Sequence, residues 1–99
     1  MKEIDAKDLN KILSDADTNH VVVDIRTLAE RTESFIPGTF HMPMSTILEQ
    51  VDILKDYDTV YIYCNSGGRS ALVCSELAEK GLKNTVNVRG GIMEWNRTT

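Results

Sequence analysis

Thr59-Val60-Tyr61-Ile62-Tyr63-Cys64-Asn65-Ser66-Gly67-Gly68-Arg69-Ser70 is the stretch on which the fold of this 99-residue chain turns. Its first five residues are β-branched or aromatic, as a strand requires, and Cys64 closes it. Asn65–Gly68 is small, polar and glycine-bearing, so it reads as a loop. Ser70–Lys80 then reads as a helix, with Ala71, Cys74, Leu77 and Ala78 on one face and Gly81 as the stop. A strand that ends in a cysteine, curls through two glycines and enters a helix is one half of a parallel α/β crossover.

The same alternation runs outward in both directions. Val21-Val22-Val23 is continuously apolar, as expected of a strand covered on both faces. Asn84–Val88 is a third strong strand, followed by Gly90-Gly91 and a short Ile92–Asn96 helix. Lys2–Ile4 reads as an edge strand. Asp5 is placed to cap a helix with Leu9, Ile12, Leu13 and Ala16 inward, and residues 15–19 form its stop and turn. Residues 26–38 read as a charged loop closing on Ile36-Pro37-Gly38. Thr39–Met42 is a short strand ended by Pro43, and Ser45 caps a helix through Ile47, Leu48 and Val51 toward Leu54. Asp56–Asp58 turns the chain back into Thr59. Tyr61 and Tyr63 share a strand face and should pack beneath a helix. The expected fold is α/β: one domain over residues 1–99, with a parallel sheet between helices.

Composition fits such a domain. A chain of this mass should expose about 5,700 Å² folded against about 16,000 Å² unfolded, enough for one modest core. Hydrophobic residues are 41% and charged residues 26%, which excludes a disordered or fibrous chain. The net charge of −4 argues against nucleic acid or an anionic membrane as partner. Residues 1–60 hold 12 acids and 6 bases, whereas residues 61–99 hold 3 acids and 5 bases. The C-terminal part is thus expected to present a local positive field suited to a small anion. No apolar run is long enough to span a bilayer, and the charged start lacks a secretory pattern, so the expected setting is cytoplasmic. Two cysteines make no disulfide scaffold. His20 and His41 have no metal-ligand spacing, so no metal is expected.

The chemistry is concentrated after Cys64. Ligands of open α/β sheets gather at the carboxyl ends of the strands. The glycines let successive N–H groups of the loop face inward as an anion-binding nest, and the helix start at Ser70 adds unpaired amides. A thiol there gains donors when ionised and should be thiolate-rich. Arg69 either contacts the anion or pairs with Asp24 or another acid; Asn65 and Ser66 either hydrogen-bond a ligand or serve the loop's geometry. Cys74, on the inward helix face, reads as an inert core residue, and Trp95 as a lid on the core.

Four separated features resemble the single-domain rhodaneses, the thiosulfate sulfurtransferase family. They are Asp24-Ile25-Arg26; Ile36-Pro37-Gly38-Thr39 with Met42-Pro43; Cys64 through Ser70; and Val88-Arg89-Gly90-Gly91-Ile92 with Trp95. The resemblance implies five parallel strands and Cys64 as the sulfur-accepting nucleophile at the base of the loop. It further implies loop amides from Asn65 to Arg69 lining the pocket, Asp24 and Arg26 supporting the loop, and Gly90 and Gly91 passing closely beneath it. It implies no cofactor, a small anionic sulfur donor such as thiosulfate, and cyanide or a small or protein thiol as acceptor. Ser34-Phe35 stands where the family commonly has Gly-His, and Arg31 where an aromatic is usual, which makes the 31–35 surface unusual. A related phosphatase group has five residues between its cysteine and arginine; here four intervene, and no general acid for an alkoxide is evident. A persulfide carrier serving a protein partner, or a non-catalytic rhodanese-like binding module, are the alternative readings.

Overall fold

The computed structural model describes residues 1–99. Its sheet has five parallel strands: β1 (Glu3–Asp5), β2 (His20–Asp24), β3 (Phe40–His41), β4 (Thr59–Tyr63) and β5 (Thr85–Arg89), in the order β1-β5-β4-β2-β3. The longest register is between β2 and β4, from His20 opposite Thr59 to Asp24 opposite Tyr63. Helices α1 (Leu9–Leu13), α2 (Leu28–Glu33), α3 (Val51–Leu54), α4 (Gly68–Glu79) and α5 (Gly91–Thr98) complete the chain.

Alternation along the strands divides the core in two. Val21, Val23, Val60, Ile62 and Cys64 face one way and pack with Ile47, Leu54, Val73, Cys74 and Leu77 from the α3 and α4 side. Val22, Tyr63 and Val88 face the other way, with Ala6, Leu9, Ile36 and Ile92, and Tyr61 and Trp95 close that cluster. Each fully buried Val, Ile or Leu contributes about 1.5–3 kcal/mol, so the two clusters hold the sheet from both sides.

The order also sets where a ligand would bind. From β2 the chain leaves toward the β3 edge, and from β4 it leaves toward β5. Such divergence opens a crevice at the carboxyl ends of the two strands. Asp24 and Cys64 stand there side by side: Asp24 ends β2 opposite Tyr63, the residue before Cys64.

Several elements differ from the sequence expectation. The first helix is a 3₁₀ turn, Ala6–Asp8, continuing into α1, and it stops at Leu13 with Ala16 exposed. Asp5 makes no side-chain cap, because its carboxylate is bonded to Arg89 at 2.7 Å. The segment 26–38 is not all loop: α2 lies within it, started by a capping box in which Thr27 Oγ1 accepts from the Glu30 amide and Glu30 Oε1 from the Thr27 amide. The stretch after Ser45 begins as 3₁₀ structure at Ile47–Gln50 before α3. Helix α4 starts at Gly68, and its buried face is Ser70, Val73, Cys74 and Leu77, with Ala78 exposed. Finally, α5 extends to Thr98.

Candidate active site at the end of β4

Cys64 follows the last paired residue of β4, and the chain must turn at once to enter α4. Gly67 makes that turn with φ 106°, a left-handed conformation that side chains rarely adopt. Gly68 is already the first helical residue. The turn brings the start of α4 back over the sulfur. Cys64 Sγ accepts from the Gly67 amide at 3.1 Å and the Ser70 amide at 3.4 Å, and Ser70 Oγ lies 3.4 Å away.

Cys64 is only 1% exposed, so the thiol lies on the floor of the cradle and not at its mouth. Burial alone opposes a buried thiolate. The Ser70 hydroxyl, when its proton is turned to the sulfur, and the amides of Ser70, Gly67 and Ser66 outweigh it and hold the Cys64 thiol below its ordinary pKa. Cys74 has no such set of donors, and burial pushes its thiol up. It lies in the core as the sequence suggests.

The loop is braced from beneath by Gly91. The next two residues, Ile92 and Met93, donate their amides to the carbonyls of Cys64 (2.9 Å) and Asn65 (3.0 Å). A Cβ on Gly91 would overlap the Cys64 carbonyl and stand 2.5 Å from that of Asn65. Gly90, at the N-cap of α5, backs on Gly67 at 3.3 Å from where a Gly67 Cβ would sit. The two glycines thus run directly under the loop.

The charged residues arrange themselves around this frame in two pairs, linked through Asn65. Asp24, fully buried, accepts from the Arg26 amide (2.9 Å), Arg26 Nε (3.0 Å) and Nη2 (2.9 Å), and the Tyr63 hydroxyl (3.1 Å). Burial raises the Asp24 pKa, but the Arg26 bonds and charge more than reverse it. Arg26 reaches onward to Asn65 Oδ1 at 3.4 Å and the Ser34 carbonyl at 2.6 Å. Arg69 forms a two-pronged pair with Glu30, 2.9 Å to Oε1 and 2.8 Å to Oε2, and this pairing holds the Glu30 carboxyl far below the usual range. Asn65 Nδ2 joins the same carboxylate at 2.6 Å.

Of the expected site residues, the fold brings Cys64, Gly67 and Ser70 together around the sulfur. Asp24 and Arg26 support the loop through Asn65. The Asn65 side chain is engaged by Glu30 and Arg26, and Ser66 and Gly68 are exposed on the rim. The expected positive field is not carried by arginine side chains. Arg69 is paired with Glu30, Arg89 with Asp5 and Arg97 with Glu94, and the positive groups aimed at the sulfur are backbone amides.

Two participants escaped sequence reading. Glu30 carried a local signal, since Thr27-x-x-Glu30 is a capping-box pattern. Arg31 carried none. It stacks over Phe35 at 4.1 Å, donates to Thr39 Oγ1 (2.8 Å) and reaches Asp24 (3.4 Å), which settles the unusual 31–35 surface. Beside the loop lies a groove of about 570 Å³ lined by Ile25, Leu28, Pro43 and Met44 with Arg26 and Arg69. His41 is tied to the Arg26 carbonyl and His20 to Thr18.

A parallel α/β sheet with a thiol under an amide-lined loop at its switch point defines a class of cysteine-dependent group-transfer domain. The rhodanese-like domain family matches residues 5–98, and the chain belongs to it. A protein named sulfurtransferase from Allochromatium vinosum is 41% identical over 98 residues, covering 98% of this chain and 90% of that protein. A Bacillus subtilis protein provisionally named a sulfur carrier is 31% identical over 86% of this chain, which spans 46% of that protein's length. The crystal structure of a rhodanese-like domain protein from Staphylococcus aureus superimposes with a TM-score of 0.82 at 35% identity, over 96% of this chain and 91% of that one. These relatives support a sulfurtransferase of rhodanese type.

Proposed function

We propose that this protein moves sulfane sulfur from thiosulfate or a related donor to a thiol or cyanide acceptor, through a persulfide on Cys64. The observation that carries this is the buried sulfur of Cys64 with the Gly67 and Ser70 amides aimed at it. The Cys64 thiolate attacks the outer sulfur of thiosulfate; the S–S bond breaks and its electron pair leaves with sulfite. The new Cys64 persulfide anion extends toward the rim, within the ring of loop amides that oppose its charge. An acceptor thiolate or cyanide then takes the outer sulfur, and Cys64 returns as thiolate. Sulfite and thiolate are both competent leaving groups, so no histidine base is needed. Two half-reactions through a covalent intermediate give double-displacement kinetics.

Incubation with thiosulfate should add the mass of one sulfur atom to the intact protein, and cyanide should remove it. Cys64→Ser should gain nothing, whereas Cys74→Ser should load normally and keep most turnover. Sulfur loading retained by Cys64→Ser would refute the assignment.

A second reading, a persulfide carrier serving a protein partner, is favoured by the groove beside the loop. Its apolar lining and the 69% exposure of Leu28 suit a protein segment better than a small dianion, and both arginines there are already neutralised. The relative named as a sulfur carrier supports it. Slow thiosulfate turnover with fast transfer to a protein thiol would distinguish this reading. No helix is long and apolar enough to cross a membrane, and a cytoplasmic setting, which keeps both thiols reduced, accords with either form.

A further inference from the structure

Behind the thiol runs a line of polar groups that the proposed sulfur chemistry does not use. Ser70 Oγ, fully buried, is 3.4 Å from Cys64 Sγ and 2.5 Å from Asn87 Oδ1. Asn87, on β5 and 2% exposed, directs its amide nitrogen to Glu3 Oε2 at 2.9 Å and to the Gly67 carbonyl at 3.4 Å. Glu3 is exposed on β1, the edge strand. The line therefore runs from the reactive sulfur across β5 to the β1 edge of the sheet.

Donor and acceptor counting fixes its polarity. A carboxylate only accepts, and so does a peptide carbonyl. With Glu3 and the Gly67 carbonyl on one side, the Asn87 amide must present its nitrogen there and its oxygen to Ser70. A serine hydroxyl has one proton. The Gly67 carbonyl also lies 3.1 Å from Ser70 Oγ, but Asn87 Oδ1 is much nearer; the Ser70 proton is thus given to Asn87, and the oxygen's lone pairs are left facing Cys64. In that state the hydroxyl accepts the S–H of a neutral thiol. To donate to a thiolate it must rotate and give up Asn87.

We propose that Asn87, oriented by Glu3, is a positioning residue that holds the Ser70 hydroxyl proton away from Cys64 and thereby restrains ionisation of the thiol. The Gly67 and Ser70 amides favour the thiolate permanently, because peptide N–H groups cannot turn. The hydroxyl alone has two settings, and Asn87 biases it toward the neutral one. Restraint of this kind keeps the resting thiol less open to adventitious oxidation and leaves the third donor available once negative charge has formed on sulfur. The other charged groups facing Cys64 are already committed to partners: Arg69 with Glu30 at the mouth, and Asp24 with Arg26 at the end of β2. Cys74, on α4, carries a thiol pushed up by burial and adds no charge near neutrality.

The inference takes Cys64 to be the reactive thiol, but its test does not require sulfur transfer. The rate of Cys64 alkylation by iodoacetamide, followed from pH 5 to 9 in a Cys74→Ser background, reports the thiolate fraction. Asn87→Leu should lower the apparent pKa by about 0.5–1 unit, a three- to ten-fold faster alkylation below that pKa. Adding Ser70→Ala should abolish the effect of Asn87→Leu, since the hydroxyl is the moving part. Glu3→Ala, a surface change that keeps the test open should Asn87→Leu fail to fold, should shift the pKa the same way by less, again only with Ser70 present. An unchanged or raised pKa in a folded Asn87→Leu or Glu3→Ala protein would overturn the proposal. So would an equal shift in the Ser70→Ala background, which would mark a general loosening or a charge effect. Failure to load sulfur with these pH profiles intact would count against the proposed function and not against this inference.

Discussion

Replacing Gly91 with alanine puts one methyl group into the most crowded point of the backbone around the site. The added Cβ would overlap the carbonyl of Cys64 and lie 2.5 Å from that of Asn65. Relief requires the loop base to retreat by roughly 1 Å, since carbon atoms pack comfortably at about 3.5–4.0 Å. That retreat stretches the bonds from Ile92 N to Cys64 O (2.9 Å) and from Met93 N to Asn65 O (3.0 Å), at about 1 kcal/mol each. Overpacking costs about 1–3 kcal/mol, and a φ of +56° costs a non-glycine residue about 1 kcal/mol more. The expected loss is about 4–6 kcal/mol, against a total stability of about 5–15 kcal/mol for an ordinary domain. Two other glycines separate the contributions. Gly81 has φ +93° with open space around it, so Gly81→Ala should lose only about 1 kcal/mol. Gly68 is helical and also open, and Gly68→Ala should be neutral or stabilising by about 0.5–1 kcal/mol. Urea unfolding of the three variants gives the values directly. If Gly91→Ala lost no more than Gly81→Ala, the close approach beneath the loop would not be what demands glycine.

Other outcomes follow from the charged frame. Glu30 has its carboxyl held well below its unfolded value by Arg69, so its contribution to stability is complete above about pH 4.5 and is lost as pH falls. Urea midpoints measured from pH 7 to pH 3 should therefore drop less steeply for Glu30→Gln than for the wild type; equal slopes would refute the pairing as a source of acid sensitivity. Asp24 carries the same sign, and Tyr63→Phe, which removes one of its donors, should destabilise by about 1.5–3 kcal/mol by the same measurement.

The fold was legible because its strands are buried on both faces. Val21–Val23 and Thr59–Cys64 can be little else than central parallel strands, and the glycine-bearing loop between Cys64 and α4 announces the site. What escaped did so for physical reasons. Helix α2 has no buried residue, hence no apolar period to read, and its only mark was the Thr27–Glu30 capping pair. Missing it hid the acid that takes Arg69. The inward face of α4 was assigned to Ala71 and Ala78 because they are apolar, whereas the helix turns Ser70 inward to reach Cys64 and Asn87. Asp5 has the right side chain for a cap, but Arg89 is 84 residues away in sequence and cannot be seen from the local pattern.

The brace beneath the loop has a bearing on biosynthesis. Cys64 is translated before the residues that fix its surroundings: Asn87 on β5, and Gly91 to Met93 under the loop. Strand β1, made first, can pair only with β5, one of the last elements to appear. A nascent or truncated chain ending near residue 84 would lack this brace, and long-range pairings of this kind close late and slowly. The floor beneath the reactive loop is therefore laid only once the C-terminal helix has been synthesised and docked.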